Sequence, residues 1–222
     1  MRRYEMYDYN IFLNILNQTK GLNNSLNQIL KYDFIYHSNK IDGSNFTIET
    51  LQLLAEKKIV SGTHNLDDVY ISFNSFIVMD LVLDCLNIPL TLERLIEWFK
   101  ALIQRTKIGD SEIELYNREA EDELNELIKK YNSTDKQTIK NICKFHLEFN
   151  KIRYFKFYNS RISRFIFLKQ LLENKLPLKY MNGESAKEYK KALQESTVDN
   201  IEPLISYLNK QKDFIEENIK MF

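Results

Sequence analysis

The residues best equipped for chemistry lie in KFHLEFNKIRYFKFYNSRISRF, positions 144–165, where His146, Glu148, Asn150, Lys151, Arg153, Asn159, Arg161, Ser163 and Arg164 stand among aromatics. Phe145, Phe149 and Ile152 recur at i, i+4, i+7, which predicts a helix with one buried face that ends near Arg153. A second helix from Arg161 carries Arg161 and Arg164 on its first turn. Free backbone N–H groups and the dipole at a helix start attract anions, and two arginines one turn apart add a bidentate clamp for phosphate. The same arginines could instead pair with surface acids, of which the chain has many; spacing alone leaves both readings open.

The elements that must hold this stretch are helical. Five Gly and three Pro in 222 residues leave few breaks. Leu22, Leu26, Ile29, Leu30 and Ile35 form a helical apolar stripe running toward His37 and Ser38, and Gly43 ends it. Thr47 is the expected N-cap of ETLQLLAEKK, which closes at Ser61 and Gly62. Asp67 or Asp68 should open a helix over 69–86, and Thr91 should cap LERLIEWFKALIQ with Leu92, Leu95, Ile96, Phe99 and Ile103 on one face and Trp98 at its edge. Gly109 and Asp110 followed by the alternation Ile113, Glu114, Leu115 predict a β-hairpin over 106–117.

Further helices are expected from Glu119 to Tyr131, from Lys136 to Lys151 with Ser133 or Thr134 as the cap between them, and from Arg161 to Asn174, stopped near Pro177. SAKE at 185–188 has capping-box spacing, and a last helix after Asp199 turns Leu204, Leu208 and Ile215 inward. No repeat, linker or composition shift divides 1–222, so one all-α domain is expected, with 144–174 at its centre.

Composition narrows the function. Thirty-one basic and 31 acidic residues cancel, which gives no general pull toward nucleic acid or anionic lipid. The apolar run at 70–90 is interrupted by Asn74, Asp80 and Asp84 and reads as a buried helix, not a membrane span. Asp80 and Asp84, and the lysines 136, 140 and 144, read as solvated edges. Cys85 and Cys143 have no disulfide or zinc spacing, and MRRYEMYDYN lacks the apolar run of a secretion signal; a cytoplasmic protein is expected, with no metal site.

HLEFNKIRYFKFYNSRISR at 146–164 resembles the signature of the Fic (filamentation induced by cAMP) family, HxxFxxIHPFxDGNGRxxR. His146, Phe149, Ile152, Phe155, Asn159, Arg161 and Arg164 match it; Arg153 stands at the catalytic His, Tyr154 at the Pro, Phe157 at the acidic residue, and Tyr158 and Ser160 at the two glycines. SNKIDGSNFT at 38–47 resembles the family's N-terminal inhibitory stretch SxxxEG, with Ser38, Asp42 for the Glu, and Gly43; 1–45 would then be the inhibitory segment. LPLKYMNGESAKEYKKALQESTVDNIEPLISYL at 176–208 resembles the family's C-terminal part.

The resemblance implies a single Fic-like helical domain with a small β-hairpin flap at 106–117. It also implies transfer of AMP from ATP to a hydroxyl of a target protein. In that scheme the His is the base, the acid holds Mg²⁺, the Gly-rich turn cradles phosphates, and an inhibitory carboxylate pairs with the second Arg. Asn159, Ser160, Arg161 and Arg164 become the expected phosphate-binding residues.

The departures count against that chemistry. Arg153 cannot act as a base, because a guanidinium with a pKa above ~12 does not give up its proton. Phe157 has no oxygen for Mg²⁺. Tyr158 and Ser160 disfavour the φ > 0 backbone of a phosphate nest. Ordinary AMP transfer is therefore not expected, and ATP and Mg²⁺ are doubtful ligands. A pseudoenzyme or regulatory binding protein is the first reading, with Phe157 and Tyr158 expected to fill the phosphate pocket. A nucleotidyl transferase using ATP or another phosphorylated donor by altered chemistry is the alternative. The partner or target would be an unidentified protein, with a homodimer as one option. His146 is expected to be a hydrogen-bonded core residue, and Asp42 either locks Arg164 or caps a turn.

Overall fold

A computed structural model describes residues 8–221; the basic start of the chain, residues 1–7, lies outside them. The first helix, which the spacing did not signal, is α1 (Tyr9–Gln18), capped by the Asp8 carboxylate on the Asn10 N–H. Ser25 caps α2 (Leu26–Ile41), so Leu22 falls before the helix and is exposed. Thr47 caps the short α3 (Ile48–Gln52), which continues into one π-turn over Leu53–Lys57.

Helix α4 (Leu66–Asp84) is opened by Asn65 rather than by either aspartate; its side chain reaches the Asp67 N–H at 2.9 Å. Thr91 caps α5 (Leu92–Ile103), whose Trp98 is fully buried instead of sitting at the edge. After α6 (Glu121–Asn132) the cap of α7 (Ile139–Ile152) is Thr138, not Ser133 or Thr134. Next come α8 (Asn159–Glu173) and α9 (Ala186–Glu195), where Ser185 makes no side-chain cap and Asn182 caps the preceding 3₁₀ turn. The expected last helix is two, α10 (Glu202–Asn209) and α11 (Phe214–Asn218), with Leu204, Leu208 and Ile215 all buried.

Among the described residues there is no strand, so the expected β-hairpin is absent. The buried Thr106 hydroxyl donates to Ile103 O and accepts from the Gly109 N–H, and Asp110 N–H donates to Thr106 O. These bonds wind 106–110 in helix-like turns and use up the residues a hairpin turn would need. What remains of the flap is extended backbone at 115–117, joined by one antiparallel bridge to the loop after α7: Asn117 N–H donates to Tyr154 O (2.7 Å) and Lys156 N–H to Leu115 O (3.0 Å).

Helix α8 is the axis of the molecule. Every residue from Arg161 to Leu172 is buried, and it packs against α4, α5 and α7. A helix buried all round has no amphipathic stripe, because no face turns to water. Helices α1, α2, α9 and α10 complete the all-α enclosure around one continuous apolar core. No helix among the described residues is long and apolar enough to cross a membrane.

Helix α2 is held on its far side by the 183–185 turn. Gly183 N–H donates to His37 Nδ1 (3.1 Å), and a Cβ on Gly183 would lie 2.5 Å from Lys40 Cβ and 3.0 Å from His37 O. Gly183→Ala should therefore push this turn off α2 and cost about 1–3 kcal/mol, read as a lowered urea midpoint.

Candidate functional site

The two arginines of the motif are sealed in the core. Arg161 and Arg164 are each 2% exposed. Arg161 Nε donates to Asp42 Oδ2 (2.8 Å), and its Nη1 to Asn39 Oδ1 (2.7 Å) and Ser75 Oγ (3.3 Å). Arg164 Nη2 donates to the same Asp42 Oδ2 (2.6 Å) and to Ser38 O (3.2 Å), and its Nε to Ser38 Oγ (2.9 Å). One carboxylate oxygen thus faces two guanidiniums. Burial alone would raise the Asp42 pKa, but the guanidiniums of Arg164 and then Arg161 outweigh it and hold it below the ordinary carboxylate value. Burial also pulls the Arg161 guanidinium down, with Asp42 working against it.

Asp42 reaches this place because α2 ends there. It is the C-cap residue, its N–H donating to Asn39 O; Gly43 at φ 91° turns the chain, and Ser44 N–H returns to Asn39 O (3.0 Å). Capping a turn and pairing with the arginines are therefore one arrangement, not alternatives. Helix α4 braces it: Asn39 Nδ2 donates to Ser72 Oγ (2.9 Å), and Ser44 Oγ to Asp68 (2.9 Å).

Arg153 and Tyr158 both adopt left-handed backbone, φ 50° and 52°. Tyr158 therefore takes the conformation that its side chain disfavours, and sits as the N-cap residue of α8 with no side chain capping the helix. Asn159 holds that loop: its Oδ1 accepts from Phe155 N–H (3.3 Å) and its Nδ2 donates to Phe149 O (3.2 Å). Ser160 is exposed on the first turn.

Arg153, Asn159, Ser160, Arg161 and Asp42 line one cleft of about 880 Å³. Tyr158 lines it as well but does not fill it, and Phe157 is not among its lining residues, contrary to the expectation for a blocked pocket. Spacing gave no hint of Lys190, Leu193 and Gln194, which α9 brings to the same cleft. Asp42 is the only carboxylate of the lining, and two guanidiniums occupy it, so the donor set does not suit a hard divalent cation such as Mg²⁺.

His146 lies beneath the site as a core residue, 1% exposed, with Ser163 Oγ 2.8 Å from Nδ1 and Tyr189 OH 2.8 Å from Nε2. Asn150 Nδ2 also donates to Ser163 Oγ (2.9 Å). Burial first, then the Arg164 charge, lowers the His146 pKa to about 3. The other histidines gain partners that the sequence did not reveal. His37 receives the Gly183 N–H, and His64 stacks on Phe46 with its Nε2 2.9 Å from Ser61 O.

The fold matches solved Fic-domain structures over nearly the whole chain. A Fic domain-containing signaling protein from Bacteroides thetaiotaomicron VPI-5482 superposes with a TM-score of 0.75 at 17% identity, covering 96% of this chain and 94% of that one. A variant of a Fic-1 fragment from C. elegans gives 0.75 at 13% identity, covering 96% and 71%. A Fic family protein from Desulfovibrio desulfuricans G20 gives 0.70 at 16%, covering 99% and 77%. No family sequence profile matches the chain, and no curated protein does. At these identities the likeness establishes a Fic-like fold and leaves the chemistry to the residues.

Two outcomes are expected. Asp42→Ala leaves two buried cations without a counter-charge; with the Asp42 side chain 32% exposed, the loss should be about 2–3 kcal/mol, short of the ~3–5 of a fully buried pair. His146 has a folded pKa below its unfolded value of about 6.5, so its contribution is complete above that pH and is lost as pH falls toward 3. Urea titrations of wild type and His146→Gln should run parallel above about pH 7, and wild type should lose up to about 1.4 kcal/mol more per pH unit between about pH 6 and 4.

Proposed function

We propose that this is a Fic-fold protein whose centre no longer performs Mg²⁺-dependent AMP transfer, and that it serves as a binding or regulatory protein. The observation that carries the reading is the capture of Arg161 and Arg164 by Asp42. The groups that would grip distal phosphates are already satisfied inside the protein. Three independent losses support it. The guanidinium of Arg153 replaces a base, Phe157 offers no metal ligand, and the cleft's one carboxylate is engaged.

A locked but intact enzyme and a degenerate one differ in what unlocking does. If Asp42 merely restrained a working centre, neutralising it would release activity. If base and metal ligand are gone, it would not. A second reading, transfer from another phosphorylated donor, draws on the cleft being open and lined by cations.

The test is incubation of wild type and of Asp42→Asn, which keeps the side chain's shape, with labelled ATP and Mg²⁺ and with candidate target proteins. No labelled band is expected from either. Label that appears only in Asp42→Asn would overturn the proposal in favour of a locked enzyme, and label from another nucleotide donor supplied in parallel, lost in Arg153→Asn, would establish the second reading.

A further inference from the structure

The mismatch between this cleft and a divalent cation has a positive side. Lys151 and Arg153 at the end of α7, Lys156 in the following loop and Lys190 on α9 all line it and are exposed at its walls. Three of these four positions, Lys151, Lys156 and Lys190, lie outside the matched motif residues. Lys156 is partly neutralised by Glu114 at 2.5 Å, and Asp42 is bound to Arg161 and Arg164. The walls therefore carry surplus positive charge in a chain whose total charge is zero. The volume, about 880 Å³, is within the range of small-molecule sites. The uncapped first turn of α8 opens into the same space.

A carboxylate-poor, lysine-rich cleft selects among forms of one ligand. A polyphosphate chelated to Mg²⁺ has part of its charge already neutralised and brings a hard ion best served by carboxylates, and the one carboxylate of the lining is taken by two arginines. The unchelated anion keeps its full charge for Lys and Arg.

We infer that the cleft between α7, α8 and α9 binds a small phosphorylated anion without a divalent metal, with Arg153 at the end of α7 and Lys190 on α9 as its principal contacts. This rests on the reading that the centre has lost its metal-dependent chemistry and names the ligand class that the remaining groups take. Arg153 acts here as an anion contact, the one role a permanently charged side chain can fill at that position.

The experiment is calorimetric titration of the full chain with inorganic pyrophosphate, once in EDTA and once in excess Mg²⁺. Saturable binding is expected in EDTA, weakened about tenfold by Mg²⁺ and by each of Lys190→Ala and Arg153→Asn, as loss of one charge-assisted contact predicts. Asn tolerates the left-handed backbone at 153, and unchanged thermal midpoints establish that both variants fold. Absence of binding in EDTA, binding that requires Mg²⁺, or affinity unaltered in both variants would each overturn the inference. Failure here leaves the lack of AMP transfer untouched, whereas label transferred from Mg-ATP would overturn the functional proposal whatever pyrophosphate does.

Discussion

Two guanidiniums on a helix without a solvent-facing side require a counter-charge inside the protein, and Asp42 supplies it. The desolvation of a buried charge is offset only by close pairing and by hydrogen bonds to the remaining donors. Here Asp42 gives the charge, while Ser38, Asn39 and Ser75 absorb the other N–H groups. Much of the rest follows. The end of α2 must meet the start of α8, Gly43 must turn the chain away at once, and α4 must present small polar residues, Ser72 and Ser75, where a larger apolar group would block the contact.

The loop before α8 is held in a strained course by its neighbours. Tyr158 and Arg153 both occupy the left-handed region, at a cost on the order of 1–2 kcal/mol each, and the loop keeps its course because neighbours fix it. Asn159 ties it to the end of α7, and the Tyr116–Phe155 bridge ties it to the extended remnant at 115–117. The cleft beside this loop is lined by Lys151, Arg153, Lys156 and Lys190.

The fold was legible to different depths. Thr47 and Thr91 announced their helices because capping is a local exchange between a hydroxyl and a backbone N–H three residues on. The hairpin at 106–117 was misread because Gly109 and Asp110 are equally good in helix-like turns, and the Thr106 hydroxyl chose between the two. Trp98 could not be assigned to core or edge from α5 alone; its burial depends on what packs beyond its face. The Asp42–Arg164 contact was one of two readings left open, and neither the sharing of one oxygen with Arg161 nor the α9 side of the cleft was legible.

By itself the sequence determined that the chain is helical, that its charge is balanced, and which polar side chains gather in 144–165. Those are properties of residue type and of spacing within a few turns. Only the tertiary structure decided that Arg161 and Arg164 are spent on Asp42, that Phe157 stays out of the cleft, and that Lys190 lines the same cleft as Arg153. Each of these joins segments far apart in the chain, and such contacts are set by packing, which local pattern does not encode.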